Sequence, residues 1–221
     1  MHIALIGDII GSRKISDRRT VQDILRILLD RINRDYQGCI ACDFMITDGD
    51  EFRGLLKNPY SLIDIIEDLR KAMHPVRIRF AAGVGEVPAG LQREAYAMDG
   101  PAFHAARRAM EDIKKGEKSY QNRAGGISIA AEDRLPGFDG RLANALLSAC
   151  ALIESRWTRS QREKIYALSS GATQREAAKI LGISQPSVQK ALEQSGYYTY
   201  KGAMDDLRSS LSHAWKSQYG D

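Results

Sequence analysis

The chain has 221 residues, 43% of them hydrophobic and 27% charged, which is enough to bury one large core or two modest ones. No apolar run approaches the roughly 20 residues that a transmembrane helix needs, and no basic stretch precedes the acid at Asp8. We therefore expect a cytoplasmic protein with no membrane partner. The formal net charge is +4, and residues 157–221 hold nine Lys and Arg against six Asp and Glu. Most of the basic excess, which permits an anionic partner, lies in this last third.

The first 134 residues predict an α+β domain. Apolar runs between turn residues predict strands at residues 2–7, 39–47, 51–57, 76–85 and 126–131. Apolar residues at helical spacing predict helices at residues 59–73 and 101–115, and a helix of about 18 residues that begins at the cap Asp17. Along the chain these elements follow one another as β-α-β-β-α-β, with one more helix and strand after them. This order is that of a ferredoxin-like (palm, nucleotide cyclase-like) sheet. We expect helices on one face of an antiparallel sheet, with the other face or its edge open for function.

The remaining residues predict a small all-α domain. Residues 132–140 are rich in turn formers, so we place domains at residues 1–134 and 135–221. The predicted helices cover residues 142–156, 158–169, 173–181, 184–194 and about 203–217. Thr173 and Ser184 are predicted caps, Gly182 allows a turn, and Ile183 is predicted to fill the core. The spacing within residues 157–197 is that of a helix-turn-helix.

Carboxylates mark the ends of two strands that we expect to be neighbours. Residues 45–56, MITDGDEFRGLL, place an Asp-Gly turn between apolar runs, which predicts a hairpin that displays Asp48, Asp50 and Glu51. Asp8 ends the first strand. Mg²⁺ (or Mn²⁺) prefers carboxylate oxygens, and Asp8 and Asp50 can supply them from one side. The alternative is a solvated acidic turn.

The loop that follows Asp8 has the composition of a phosphate site. Backbone N–H groups in a loop that leads into a helix can hold a triphosphate. Gly11 permits close approach, and Arg13 or Lys14 can add positive charge. The predicted phosphate-binding residues are Ile10, Gly11, Ser12 and Arg13.

Four motifs resemble nucleotide cyclases. GDIIGSRKIS is similar to the first metal-binding motif of class III nucleotidyl cyclases, and TDGDEFRGLL to their second metal-binding hairpin and to the GGDEF signature of diguanylate cyclases. VRIRFAAGVGEV and MDGPAFHAARRA resemble the strand and the helix that follow. The resemblance implies four metal ligands, namely Asp8, the Ile9 carbonyl, Asp50 and Glu51. It also implies that Arg108 steadies the transition state and that His104 stands in place of a catalytic Asn.

The base-reading positions depart from the cyclase pattern. Ile46 occupies the position of the base-reading Lys, and Ala97 that of its acidic partner. A site that loses its hydrogen-bonding groups loses base discrimination. His104 has the alternative role of a packing residue on an apolar helix face. We therefore expect another nucleotide, another reaction, or binding without turnover.

The segment 157–197 resembles the helix-turn-helix of sigma-factor region four, and the whole chain resembles the SatD family. In such a unit the second helix enters the major groove of double-stranded DNA, and the start of the first helix meets phosphates. The predicted DNA contacts are Gln174, Arg175, Ser184, Gln185, Ser187, Gln189 and Lys190. The alternative is a helical interaction module that does not touch DNA.

We expect a DNA-binding regulator that acts as a homodimer. Its palm binds a nucleoside triphosphate or a related nucleotide with Mg²⁺ and modulates the helix-turn-helix. One alternative is an active nucleotidyl cyclase or oligonucleotide synthase that its DNA-binding domain localises. Another is a catalytically silent palm that serves only for dimerisation.

Overall fold

The computed structural model describes residues 1–87, 99–120, 126–131, 134–168 and 171–220. These ranges contain five strands, β1 (His2–Ile9), β2 (Ile40–Asp48), β3 (Glu51–Leu56), β4 (Ile78–Gly85) and β5 (Ile127–Ala130). They also contain eight α-helices, α1 (Arg18–Asp35), α2 (Leu62–Met73), α3 (Pro101–Tyr120), α4 (Gly140–Ser155), α5 (Arg159–Leu168), α6 (Gln174–Leu181), α7 (Gln185–Gln194) and α8 (Tyr197–Tyr219). No helix in these ranges has both the length and the apolar composition needed to cross a bilayer.

The strands form one mixed sheet in the order β2-β3-β1-β4-β5. β1 is central and pairs antiparallel with both β3 and β4, and β2 pairs antiparallel with β3. β5 joins β4 in parallel. The chain therefore has an α+β fold with a five-stranded mixed sheet, and the near-continuous apolar run of β1 is explained by burial on both of its faces.

Helices cover both faces of the sheet, so the prediction of one open face is wrong. Ile3 and Leu5 of β1 belong to a core that includes buried residues of α1 and α2. The alternate residues Ala4 and Ile6 pack with Phe103 and other residues of α3 on the opposite face. Side chains alternate between the two faces of a strand, so one strand serves both cores.

Small residues let α3 approach the sheet closely. A Cβ atom at Gly83 in β4 would collide with the backbone of Ala102 and Ala106, and one at Gly85 would lie 2.5 Å from the Ala102 nitrogen. Both glycines face α3, whose contact side includes these alanines. This complementarity explains why α3 occupies the face that we expected to be free.

Asparagine side chains complete the backbone hydrogen bonds at both edges of the sheet. Asn33 of α1 accepts from the Phe44 nitrogen at 2.7 Å and donates to the Phe44 oxygen at 2.9 Å on β2. Asn144 of α4 does the same for Ile129 on β5, at 2.8 and 3.1 Å. Each asparagine replaces the missing strand for one residue and blunts an edge that is otherwise open to pairing.

Several predicted boundaries are confirmed and two helices are longer than predicted. The Asp17 side chain accepts from the Thr20 nitrogen at 3.1 Å and caps α1. α3 continues to Tyr120, and α8 begins at Tyr197, where the pattern predicted a start near residue 203. The predicted domain boundary adjoins residues 132–133, which lie outside the described ranges.

Charged side chains connect α2 of the first region to the C-terminal helices. Glu154 at the end of α4 lies between Arg70 of α2 at 2.9 Å and Arg162 of α5 at 3.1 Å, and all three side chains are largely buried. Arg208 of α8 contacts Asp64 of α2 at 2.8 Å. The main core also continues from the sheet into α4, α7 and α8, so the two predicted domains share packing in the structure.

Replacing Glu154 tests this connection. Glu154→Gln keeps the shape of the side chain but leaves Arg70 and Arg162 without their shared negative charge, and we expect a loss of about 3 kcal/mol in unfolding free energy. Urea denaturation measures the change. The matched control is Glu163→Gln, which removes an exposed pair with Arg159 and should cost less than about 1 kcal/mol. Equal effects of the two substitutions would contradict the structural role of Glu154.

Candidate functional site

Charged residues form a row across three strands beneath α3. Asp8 of β1 lies directly opposite Glu51 of β3 and Arg79 of β4. Directly opposed residues of neighbouring strands project from the same face of a sheet. We call Asp8, Glu51 and Arg79 the Asp8 row. It brings together two predicted metal ligands, Asp8 and Glu51, with an arginine that the motifs did not indicate.

The Asp8 carboxylate is paired through both of its oxygens. Lys114 of α3 lies 2.9 Å from Oδ1, and an Arg79 guanidinium nitrogen donates to Oδ2. Arg79 also donates to Glu117 of α3, at 2.9 Å from Nε and 2.6 Å from Nη2. The side chains of Asp8, Arg79 and Glu117 are 11%, 15% and 11% exposed. Buried charges require such pairing, so these contacts hold α3 on the sheet.

This pairing bears on whether the site fits a metal ion. Mg²⁺ binds through carboxylate oxygens, and here two cationic side chains contact both oxygens of Asp8. Within the described ranges, no group of three or more His, Cys, Asp or Glu side chains is arranged to hold a metal. The residues present do not fit a metal bound by Asp8, because both of its oxygens are paired with cations. The predicted ligand set stays a prediction.

Glu51 is the half-buried acid of the row. Burial raises the pKa of the Glu51 carboxyl above its ordinary value, and the positive charges of Lys114, Arg53 and Arg107 oppose that change. Arg53 follows Glu51 on the same face, and its guanidinium lies 6.0 Å from the centre of the Phe103 ring. Of the cations near Glu51, Lys114 pairs with Asp8 and Arg107 pairs with Asp99.

The other predicted ligands lie around the loop after β1. The Ser12 hydroxyl donates to the Asp50 carboxylate, and the Asp50 carbonyl accepts from the Ile9 nitrogen at 3.1 Å. Asp50 is therefore held against the loop, whereas Asp8 is held against α3. The Asp48 side chain lies outside what the structure describes.

The backbone of the predicted phosphate loop forms hydrogen bonds within the loop and to Arg77, which precedes β4. The Ile10 nitrogen donates to the Arg77 carbonyl at 2.8 Å, and the Gly11 carbonyl accepts from the Lys14 nitrogen at 2.8 Å. Gly11 has a φ of 71°, a left-handed conformation that favours glycine. Ser12 is buried and Arg13 is exposed. A phosphate bound at the Ile10 nitrogen would therefore have to replace this hydrogen bond.

The predicted catalytic residues of α3 are exposed. His104 Nε2 lies 2.9 Å from Asp99, which also pairs with Arg107 at 3.1 Å. Arg108 borders a groove of about 1010 Å³ between α3, β5 and the start of α4. On α3, the cation that contacts Asp8 is Lys114. The roles of His104 and Arg108 stay predictions.

Of the two base-reading positions of the cyclase pattern, the structure describes only Ile46. Ile46 is half-buried and packs against the main core, which gives this residue a structural role. Ala97 lies outside the described residues.

Sequence patterns missed Arg79, Lys114 and Glu117. A signal was present in the helical spacing of Lys114 and Glu117 from the apolar residues Phe103 and Met110, which predicts that all four face the sheet.

The second candidate site is the pair α6 and α7. Thr173 and Glu176 form a reciprocal capping box at the start of α6, and Gly182 ends the helix with a φ of 66°. The buried residues at the junction include Ala177 and Val188. The cap at Thr173 and the turn at Gly182 are confirmed.

Ile183 differs from its prediction. It is 37% exposed, so the expectation that it fills the core is wrong. Its backbone nitrogen donates to the Ala178 carbonyl at 3.0 Å and thereby satisfies a carbonyl at the end of α6. The buried side chains Val188 and Leu192 of α7 supply the packing instead.

Most of the predicted DNA contacts lie on the surface. The exposed ones are Arg175, Ser184, Gln185, Ser187, Gln189 and Lys190. Gln174 is half-buried, and its amide nitrogen donates to the Tyr198 hydroxyl at 2.9 Å. Its amide oxygen accepts from Gln185 at 2.9 Å. Tyr198 belongs to α8 and was missed by the motif, which ends one residue earlier.

The sequence profile of the SatD family matches residues 2–206, which is most of the chain and includes both candidate sites. The chain belongs to the SatD family. No curated protein matches it. Membership of this family assigns no activity, so the roles proposed for the residues rest on their geometry.

Removing the Asp8 charge tests the structural role of the row in this SatD protein. Asp8→Asn leaves Lys114 without a partner and weakens the anchoring of Arg79, so we expect a loss of about 3 kcal/mol in unfolding free energy. The control Asp23→Asn removes an exposed pair with Arg26 and should cost less than about 1 kcal/mol. If Asp8 served only to bind a metal, Asp8→Asn would leave the unfolding free energy of the metal-free protein unchanged or raise it. That result would contradict the structural role of the pairing.

The raised pKa of Glu51 predicts a pH dependence. Because the folded state favours the protonated acid, its contribution to stability is present below the ordinary pKa of 4.5 and is lost as the pH rises through the higher folded value. Glu51→Gln removes this loss. The unfolding free energy of the variant relative to the natural chain should therefore be higher at pH 7 than at pH 4. If the difference in unfolding free energy between the variant and the natural chain were the same at pH 4 and at pH 7, the burial of the Glu51 charge would be contradicted.

Proposed function

We propose that this SatD protein is a DNA-binding regulator that uses α6 and α7 as a helix-turn-helix. The observation that carries the proposal is the exposed polar start of α7, which is supported from below by buried Val188 and Leu192. In a helix-turn-helix the second helix lies in the major groove, and its first residues meet the base edges. The side chains at this exposed helix start are mostly polar and uncharged. Such side chains suit the reading of base edges better than they suit non-specific electrostatic binding.

The exposed side chains have the chemistry that DNA recognition requires. Gln185 and Gln189 can each form two hydrogen bonds with adenine, and Lys190 can reach guanine or a phosphate. Arg175 is exposed at the start of α6, where a helix-turn-helix meets the phosphate backbone. Gln189 also donates to Glu193 at 3.0 Å, a contact that DNA would compete with.

For the first 134 residues the proposal is a ferredoxin-like palm with an added strand. The order β2-β3-β1-β4 is antiparallel throughout and arises from strands and helices that follow one another as β-α-β-β-α-β, and β5 extends this sheet. Binding of a nucleotide with Mg²⁺ stays the prediction of the cyclase resemblance. The two cations on Asp8 favour a catalytically silent palm over an active nucleotidyl transferase, because a metal clamp at this carboxylate would have to displace both.

The proposed regulator acts as a homodimer, since paired half-sites on DNA match a two-fold symmetric protein. Modulation by the palm would pass through α8, because Arg208 pairs with Asp64 and Glu67 of α2. A ligand of the palm changes DNA affinity only to the extent that it binds the two conformational states with different affinity.

Arg175→Ala tests the proposed DNA surface. Duplexes selected from a randomised library by the full chain are titrated at several salt concentrations. Loss of one phosphate contact should weaken binding to all sequences alike and reduce the slope of log affinity against log salt by about 1. The control Arg26→Ala removes another exposed arginine, from α1, and should leave both quantities unchanged. Identical slopes for Arg175→Ala and the natural chain would contradict the surface.

A further inference from the structure

A chain of hydrogen bonds joins α8 to the start of α7. The Tyr198 hydroxyl accepts from Gln174 Nε2 at 2.9 Å, and Gln174 Oε1 accepts from Gln185 Nε2 at 2.9 Å. The three residues come from three helices and meet at the surface where α6 and α7 begin. The amide of Gln174 is thus oriented by Tyr198, and it orients the amide of Gln185 in turn.

Contacts around the first turn of α8 fix the position of Tyr198. α8 begins at Tyr197, directly after Gly196, whose φ of 68° allows the sharp turn from α7. Immediately before it, the Ser195 carbonyl accepts from the indole nitrogen of Trp157 at 2.9 Å. The Trp157 ring also meets Tyr200 edge to face, with 5.0 Å between ring centres. These contacts hold the first turn of α8, and Tyr198 with it, against Trp157 just before α5.

The remaining hydrogen-bonding groups of Gln185 define what it can recognise. One N–H of its amide is donated to Gln174, and the second N–H and the Oε1 atom belong to a side chain that is exposed. An amide that presents one donor and one acceptor matches the N7 and N6 atoms of adenine in the major groove. Guanine presents two acceptors there and would require two donors.

We infer that Tyr198 is a positioning residue for base recognition, and that it fixes Gln185, through Gln174, for an adenine. The inference rests on the proposed DNA-binding function and adds to it a preferred base and a residue that does not touch the DNA. A side chain held in its bound orientation loses less conformational entropy on binding, so the hydrogen-bond chain sharpens selectivity at one base pair.

The experiment selects duplexes from a randomised library with four versions of the full chain. The natural chain should enrich a motif with adenine at one position, and Gln185→Ala should lose the preference at that position only. Tyr198→Phe keeps the ring and removes the hydroxyl, and it should lower the adenine preference there by about three- to tenfold. The control Tyr197→Phe makes the same change in the neighbouring residue and should keep the full preference.

The outcomes separate this inference from the proposed function. An enriched motif whose adenine preference is the same in Tyr198→Phe and in the natural chain overturns the positioning role and leaves DNA binding intact. Guanine at the position that depends on Gln185 overturns the assigned orientation of the amide. Failure of the natural chain to enrich any motif overturns the proposed function, and this inference with it. Equal melting temperatures of the two tyrosine variants would show that a change in selectivity does not come from unfolding.

Discussion

Pairing of the Asp8 carboxylate constrains the five-stranded sheet, because a charged group that is 11% exposed is costly unless other groups in the protein neutralise it. Arg79 and Lys114 supply that neutralisation, and Glu117 contacts the other side of Arg79. One acid thereby links two strands to the helix that covers them. The same contacts involve both oxygens that a metal ion would use, so the packing of α3 and the chemistry available at Asp8 are coupled.

The C-terminal helices are connected to the sheet and its helices in the same way, by buried charges and a shared core. Glu154 and Arg208 tie α4, α5 and α8 to α2, and the shared core gives α6 and α7 a firm base. A recognition helix benefits from such a base, because base edges are read by hydrogen bonds that tolerate little displacement. The chain from Tyr198 to Gln185 extends the same principle to one side chain at the surface.

Local signals predicted much of the fold. Asp17 and Thr173 lie beside the backbone groups that they cap, and Gly182 allows the left-handed turn on its own, so short sequence windows contain the necessary information. The Asp-Gly turn between β2 and β3 was likewise predicted from its own residues.

The errors concern contacts between distant residues. Covering of the second sheet face depends on Gly83 matching alanines about twenty residues away, and Lys114 reaches Asp8 across 106 positions of sequence. No local pattern identifies such partners. The motif resemblance identified Asp8 as an important acid, but it could not indicate that Arg79 and Lys114 neutralise it. Tyr198 was missed for the same reason, since its role depends on two glutamines from other helices.

The most direct test of whether Asp8 is a structural acid is an anomalous diffraction map at the manganese edge. Crystals of the full chain are soaked with Mn²⁺ and a non-hydrolysable nucleoside triphosphate. We expect Lys114 and Arg79 to remain on the Asp8 carboxylate, with no manganese peak coordinated by it. A manganese peak shared by Asp8 and Asp50, with Lys114 displaced, would contradict the structural role and restore the metal site that the cyclase resemblance implies.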